Sequence, residues 1–197
     1  MTDLSEALPL PVASDDLRRR LAQRRSAPAQ ALIAPGPSNA EIDEILTLGA
    51  RTPDHGKLFP WRFVVLGPQS RARIAEQLAV LAEARDKPAK DQAVLAKLTA
   101  APVTILVIST PVPNAKPVWE QQLSAGAVCM NLEHAADALG YSASWITDWY
   151  SYDAQGSALF GVRDGETVAG FIHIGTLAEP PLERPRPDMA AKVTRLP

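Results

Sequence analysis

Apolar positions in this chain gather into strand-like runs and helix-like stripes, and their order sets out a fold. "VTILVIS" at 103–109 is a continuous apolar run, the signature of a central strand covered on both faces. "WRFVVLG" from residue 61 reads as a short buried strand and "YSASWI" from residue 141 as another. The turn pair "DG" at 164–165 leads into a last strand over 167–175. Helical spacing fills the intervals. Ile42, Ile45, Leu46 and Gly49 follow "SNAE" at 38–41, a capping box with Ser38 as cap and Glu41 reaching back. Pro53 stops that helix. Ile74, Leu78 and Leu81 mark a helix after "PQS", and a polar helical stretch covers 89–99. A long helix runs from about 117 to 139, closed by Gly140, and a short one covers 153–160.

The two ends differ from this middle. Residues 1–13 form a loose arm of small residues and prolines. Ser14 caps a first helix, with Asp15 and Asp16 at its positive end and Leu17 and Leu21 on one face. The helix closes in "RRRLAQRRS", cations where the macrodipole favours them. The proline-rich segment 181–197 lacks the backbone donors a helix or ladder needs and is expected to be an extended tail. Strands and helices alternate irregularly, and no G-x-G-x-x-G opens a helix after a strand, so a Rossmann cofactor site is unsupported. The expectation is an α+β domain over 14–180, with a small mixed or antiparallel sheet flanked by helices.

Composition narrows the classes. The 197 residues suit one domain on a scale of ~100–200 residues per domain. A net charge of −2 argues against wholesale nucleic-acid binding, which leaves a basic footprint. Cys129 is the single cysteine, so no intramolecular disulfide is possible. The N-terminus has acidic residues and prolines where a signal peptide needs a basic start and an apolar stretch. No apolar run approaches the ~20 residues of a membrane span. A cytoplasmic protein is the expectation.

Four stretches carry candidate chemistry. Arg24, Arg25 and Ser26 form either a phosphate clamp, guanidinium forks plus a hydroxyl donor, or a solvated cationic helix end. In "ARTPDHGKLFPWRFVVLG", His55 stands with Arg51, Asp54 and Lys57. That set suits acid–base work or donation to a polar heterocycle, while Pro53-Asp54 and Gly56 equally suit a capped turn. His134 and His173 have no ligand-like spacing with His55, which speaks against a metal site. In "WEQQLSAGAVCMNLEHAADALG", Ser124 to Ala127 strip one turn of bulk so that another backbone can approach. A helix this apolar all round is buried in a core or in an oligomer interface, with Cys129 an inert small hydrophobe. Glu133 and His134 read as satisfied structural residues. "SWITDWY" gathers Trp145, Trp149 and Tyr150 at a strand end, either as a ligand platform or as core packing with an amphipathic rim.

Taken in order, "RRS", "GARTPDHGKLFPWRFVVL", the long central helix, "YSASWI" and "VAGFIHIGT" resemble the nitroreductase family, in its minimal short-chain branch. The resemblance runs from about residue 16 to 180, and the Pro-x-His…Pro-Trp loop and the Arg-Arg-Ser triplet are its most specific parts. It implies a nitroreductase-like fold in an intertwined homodimer with two FMN molecules at the interface, each touched by both chains. By position, Arg24, Arg25 and Ser26 match the segment that holds the flavin phosphate and ribityl groups. Arg51 and His55 match positions reaching the same flavin from the neighbouring subunit, and Trp145, Ile146 and Thr147 match the strand end bordering the ring. The implied activity is ping-pong hydride transfer from NADH or NADPH through FMN to nitroaromatics, quinones or similar acceptors. The flavin carries the chemistry, which explains why no triad or metal-ligand set stands out. Two departures are visible. Pro28 stands where many relatives have a lysine, and Ile146 where close ones often have an arginine. A second phosphate-binding cation from the C-terminal segment is Arg184 or Arg186, the choice between them left open, and Lys57 is a candidate for a relocated charge. Two other readings stay open: a different flavin reaction on the same scaffold, such as dehydrogenation, dehalogenation or flavin breakdown, and a non-catalytic flavin-binding or regulatory dimer.

Overall fold

A four-stranded sheet in the order β1-β2-β4-β3 forms the centre of the computed structural model, which describes residues 7–197. Its strands are β1 (Trp61–Leu66), β2 (Val103–Ser109), β3 (Ser142–Ile146) and β4 (Thr167–Gly175). Every neighbouring pair is antiparallel. Trp61 to Leu66 face Ser109 back to Thr104, and Ser142 to Ile146 face Gly175 back to Phe171. The β2–β4 ladder shifts register between Val107 and Ile108. The run 103–109 is therefore a central strand buried on both faces. Its lack of alternation reports the layers above and below it rather than strand direction.

Those layers follow from the side-chain period of two. Ile105, Val107, Ile172 and Ile174 meet Ile42, Ile45, Val128, Cys129 and Leu132 of α2 (Asn39–Gly49) and α6 (Val118–Ala138). Leu66, Leu106, Ile108 and Phe171 meet Ile74 and Leu78 of α3 (Pro68–Ala84), with Leu98, Tyr150 and Phe160. Ser38 and Glu41 form the expected capping box at the start of α2, with Ser38 N donating to Glu41 Oε2 at 2.8 Å. Gly140, at φ +87°, takes the left-handed position after α6.

The helical stretch 89–99 is broken in two, α4 (Ala89–Ala93) and α5 (Ala96–Ala100). Across the break Leu95 N bonds Gln92 O and Lys97 N bonds Val94 O, the tighter 3₁₀ pattern. A buried cation ends α5. The Arg71 guanidinium donates to the carbonyls of Leu98 at 2.9 Å and Pro102 at 2.8 Å, and also to that of Ala101. Burial alone lowers the Arg71 pKa, and these carbonyls compensate its lost hydration. A short helix, α7 (Ala154–Ala158), and 3₁₀ turns at Ala29–Ala31 and Trp149–Ser151 complete the set.

The chain divides into two units. Ser26–Arg184 holds the sheet and the helices above; the other unit comprises the described residues up to Arg25 with Pro185–Pro197. In the latter, α1 (Asp15–Gln23) is capped by Ser14, whose side chain accepts from Leu17 N. Arg18 and Arg19 pair with Asp15 and Asp16 on exposed surface. After Gly175 the described chain has no helix or strand.

His173 on β4 is completely buried beside Arg71, and its Nδ1 lies 2.9 Å from Thr104 Oγ1. Burial first, then the positive charges of Arg71 and Lys97, push its pKa down to about 4 from the ordinary 6.5. The unfolded chain therefore takes up a proton that the folded chain resists. Stability is full above about pH 6.5 and drains as pH falls toward 4, by about 3 kcal/mol in all. Urea midpoints at neutral and mildly acid pH should separate accordingly, and His173→Gln should shrink the separation. An unaltered gap in that variant would assign the acid sensitivity to other groups.

Candidate functional site

The polar loop after α2 is a built structure. Thr52 Oγ1 donates to Gly49 O at 2.9 Å and accepts from Asn131 Nδ2 of α6 at 2.7 Å. Ser124 Oγ, also on α6, donates to Pro53 O at 2.9 Å and accepts from the Trp61 indole at 3.2 Å. The stripe of small residues thus admits the backbone of the loop at Ser124. Asp54 accepts from the N–H groups of Leu58 at 2.8 Å and Phe59 at 3.1 Å, across a turn with positive φ at Gly56, Lys57 and Phe59. Asp54 and Gly56 therefore serve the turn, which is one of the two readings their sequence allows.

His55 does something else. Its Nδ1 lies 2.7 Å from Glu120 Oε2, in the first turn of α6, while the imidazole side chain stays 55% exposed. A shallow groove of about 470 Å³ opens there, between Pro53, His55, Glu120 and Leu123. Arg51 and Lys57 are exposed on the same loop.

At the far edge of the sheet, Ala27 N donates to Ala143 O at 2.9 Å, bringing half-buried Ser26 alongside β3. Trp145 N donates to Glu133 Oε1 at 3.0 Å and its indole donates to Ala169 O at 3.1 Å. The pyrrole side of the indole occupies the space over Gly170, where any Cβ would collide with it, and its far edge reaches toward Gly126 of α6. Trp145 nevertheless remains 36% exposed. Thr147 Oγ1 meets Tyr152 OH at 2.7 Å, and half-buried Ile146 lies between. Lys97 donates to Asp148 at 3.0 and 3.2 Å, holding the turn that follows.

The three aromatic residues of "SWITDWY" part company. Tyr150 is buried, with its pKa raised by burial and by the Asp148 carboxylate. Trp149 donates to Asp91 O at 2.9 Å under Lys87. Of the three, only Trp145 is exposed. Cys129 is fully buried, its thiol pushed up to about 12 by burial and by Glu133, so it stays a neutral thiol.

Arg24, Arg25 and Arg186 belong to the smaller unit. Arg186 Nη2 donates to Arg24 O at 3.1 Å, so two candidates far apart in sequence meet there. Sequence reasoning did not single out Glu120 or Gly170. An acid in the first turn of a helix is ordinary dipole chemistry, and a strand glycine announces a close approach without naming what approaches.

The start of β1, the end of β2, the start of β4 and the end of β3 share one end of the sheet. The His55 loop and the Trp145 segment both lie at that end but at opposite edges, three strand spacings or ~14 Å apart. One turn apart on α6, Trp119 is 62% and Leu123 61% exposed, and Phe59 of the loop is exposed as well. The chain belongs to the nitroreductase family, whose profile matches residues 21–176. It is 35% identical over 165 residues to the "Putative NAD(P)H nitroreductase YdjA" of Escherichia coli K12, covering 82% of this chain and 88% of that protein. It is similar in structure to a nitroreductase-like family protein from Bacillus cereus, with TM-score 0.78 at 20% identity over 96% of this chain and 99% of that one. A "putative nitroreductase in complex with FMN" from Desulfovibrio desulfuricans matches with TM-score 0.74 at 21% identity, over 94% and 99%. Among the described residues no helix is long and apolar enough to cross a membrane.

The seat of Trp145 is testable. Gly170→Ala should drive a methyl into the indole and cost ~1–3 kcal/mol in urea unfolding, as overpacking does. Combined with Trp145→Ala, the same change should cost far less. Additive losses in the double variant would deny the contact.

Proposed function

We propose that this protein is an FMN-dependent NAD(P)H oxidoreductase acting as a homodimer, with each flavin shared between two chains. The observation that carries this reading is the division of the candidate site. Ser26 and the Trp145–Thr147 segment lie at one edge of the sheet, Arg51 and His55 at the other. The exposed face of α6 between them is the apolar surface a second copy would cover, bringing one chain's His55 toward its partner's indole. Support for the ligand comes from relatives: the Desulfovibrio protein is a complex with FMN, and the Escherichia coli protein carries NAD(P)H in its name.

The donor set fits FMN. Arg24 and Arg25 offer fork-shaped donors for a phosphate dianion, with the Ser26 hydroxyl beside them in the chain. Arg186 is the C-terminal cation of choice, since it already meets Arg24. Trp145 offers an exposed aromatic surface held by hydrogen bonds at both its backbone and its ring. Bound FMN would supply two-electron redox chemistry, in ping-pong order, between NADH or NADPH and a nitroaromatic, quinone or similar acceptor. The chain's own work is to neutralise the phosphate, border the ring and aim His55 and Arg51 at polar heteroatoms. Lys57 stands on the same turn as His55 and offers the cation that Pro28 and Ile146 do not.

Purified protein should be yellow and should bleach on addition of NADH or NADPH. Colourless protein that takes up no FMN on reconstitution would remove the proposal, and tight FMN binding without bleaching would favour a non-catalytic binder. Arg24→Ala should weaken FMN binding by roughly 1.5–3 kcal/mol, on the order of 10- to 150-fold in Kd, as for a lost hydrogen bond to a charged group. Unchanged affinity in a fluorescence titration would return Arg24 to the solvated helix end.

A further inference from the structure

We propose that Glu120 is a positioning residue for His55: its carboxylate fixes the proton on Nδ1 and so makes Nε2 the ring atom offered to a ligand. The 2.7 Å contact between Nδ1 and Glu120 Oε2 is the geometric basis. An ionised carboxylate only accepts, so in this pair the imidazole nitrogen must donate. A neutral imidazole free in water favours the opposite tautomer, with the proton on Nε2, so the choice is imposed by the fold.

Both partners are held independently of each other. Glu120 sits in the first turn of α6, a position that suits a negative charge. The backbone before His55 is tied to the same helix by the Ser124–Pro53 bond at 2.9 Å, and the backbone after it by Asp54 through Leu58 and Phe59. Asp54 is turned to the backbone of the turn, each oxygen accepting an N–H, and the partner of the ring's Nδ1 is Glu120. The imidazole side chain is 55% exposed and the Glu120 side chain 33%, so Glu120 lies behind a ring that still meets solvent. With the Nδ1 proton fixed, the neutral ring offers a lone pair at Nε2, suited to a ligand N–H. This is how one ring nitrogen is dedicated to structure and the other to recognition. The identity of that ligand rests on the FMN reading; the tautomer does not.

The experiment therefore has two arms. Three histidines are present, so long-range ¹H–¹⁵N correlations of histidine-labelled protein give three ring systems, and the signal missing from His55→Gln assigns the one of interest. At about pH 8.5, where a free imidazole is neutral, wild type should show a proton on Nδ1 of His55. Glu120→Ala should move it to Nε2. Glu120→Asp, which keeps the charge and withdraws it by one methylene, should do the same, whereas Glu120→Gln should retain the wild-type pattern through its amide oxygen. A wild-type proton on Nε2 alone, or no change in both Ala and Asp variants, would overturn the proposal. The second arm titrates FMN. Glu120→Ala should raise Kd several-fold, as His55→Ala does, and the double variant should be no weaker than His55→Ala alone. An equal further loss in the His55→Ala background would overturn the coupling. If wild type binds no FMN, the flavin reading fails while the tautomer measurement still decides the role of Glu120.

Discussion

One helix has to close the apolar face of the sheet, and the candidate site is a consequence of how it does so. α6 buries Val128, Cys129, Leu132 and Ala136 against Ile105, Val107, Ile172 and Ile174, so its rotation about its own axis is fixed by packing. Once that face is set, the other positions have no freedom. Glu120, Ser124 and Asn131 turn to the loop after α2, and Gln121 bonds Val112 N at 2.8 Å, Val112 O at 3.1 Å and Lys116 O at 2.9 Å in the loop after β2. Glu133 reaches Trp145 N. A helix that looks uniformly apolar in sequence is thus a scaffold whose polar side chains tie the loops after α2 and β2, and β3, to it.

What the sequence made legible is what local pattern encodes. The limits of β2 and β4 follow from their apolar runs, the start of α2 from Ser38 and Glu41, the end of α6 from Gly140. Strand order and direction depend on pairings between residues far apart in the chain, such as Trp61 with Ser109, Thr104 with His173 and Ile146 with Phe171, and nothing in a local window reports them. The role of Arg71 was hidden for the same reason. Its partners, the carbonyls of Leu98, Ala101 and Pro102 at the end of α5, lie far downstream, and an arginine in a helix reads as surface until its partners are known. At the site, His55 was visible as a ring among charges, but Glu120, 65 residues away, was not.

The aromatic segment shows the same division at close range. Trp145, Trp149 and Tyr150 are alike in composition and adjacent in sequence, yet only register separates them. Trp145 pairs with Ile172, so its ring falls across Gly170 on the side of the sheet that α6 covers. Tyr150 enters the opposite core, where it meets Phe160 and Phe171 edge-on or tilted. The glycine is the deciding residue. Any side chain at 170 would lift the indole off the strand, and with it the outward surface that distinguishes a platform from packing.

Dividing a site between the two edges of a small sheet has an energetic consequence. If a flavin is shared between two chains, a ring bound at the β3 edge of one has its second wall in the other. Under the proposed reading the ligand binds the dimer far better than the lone chain, and mass action then links the two equilibria: whatever favours the ligand favours association, and the reverse. Exposed Trp119 and Leu123 supply apolar area for that association, while the polar loop beside them supplies direction. Under that reading the same loop serves both ends, because Ser124 and Glu120 fix it to α6. Recognition and assembly would then rest on one element, and a change that shifts α6 by a fraction of a turn would disturb both together.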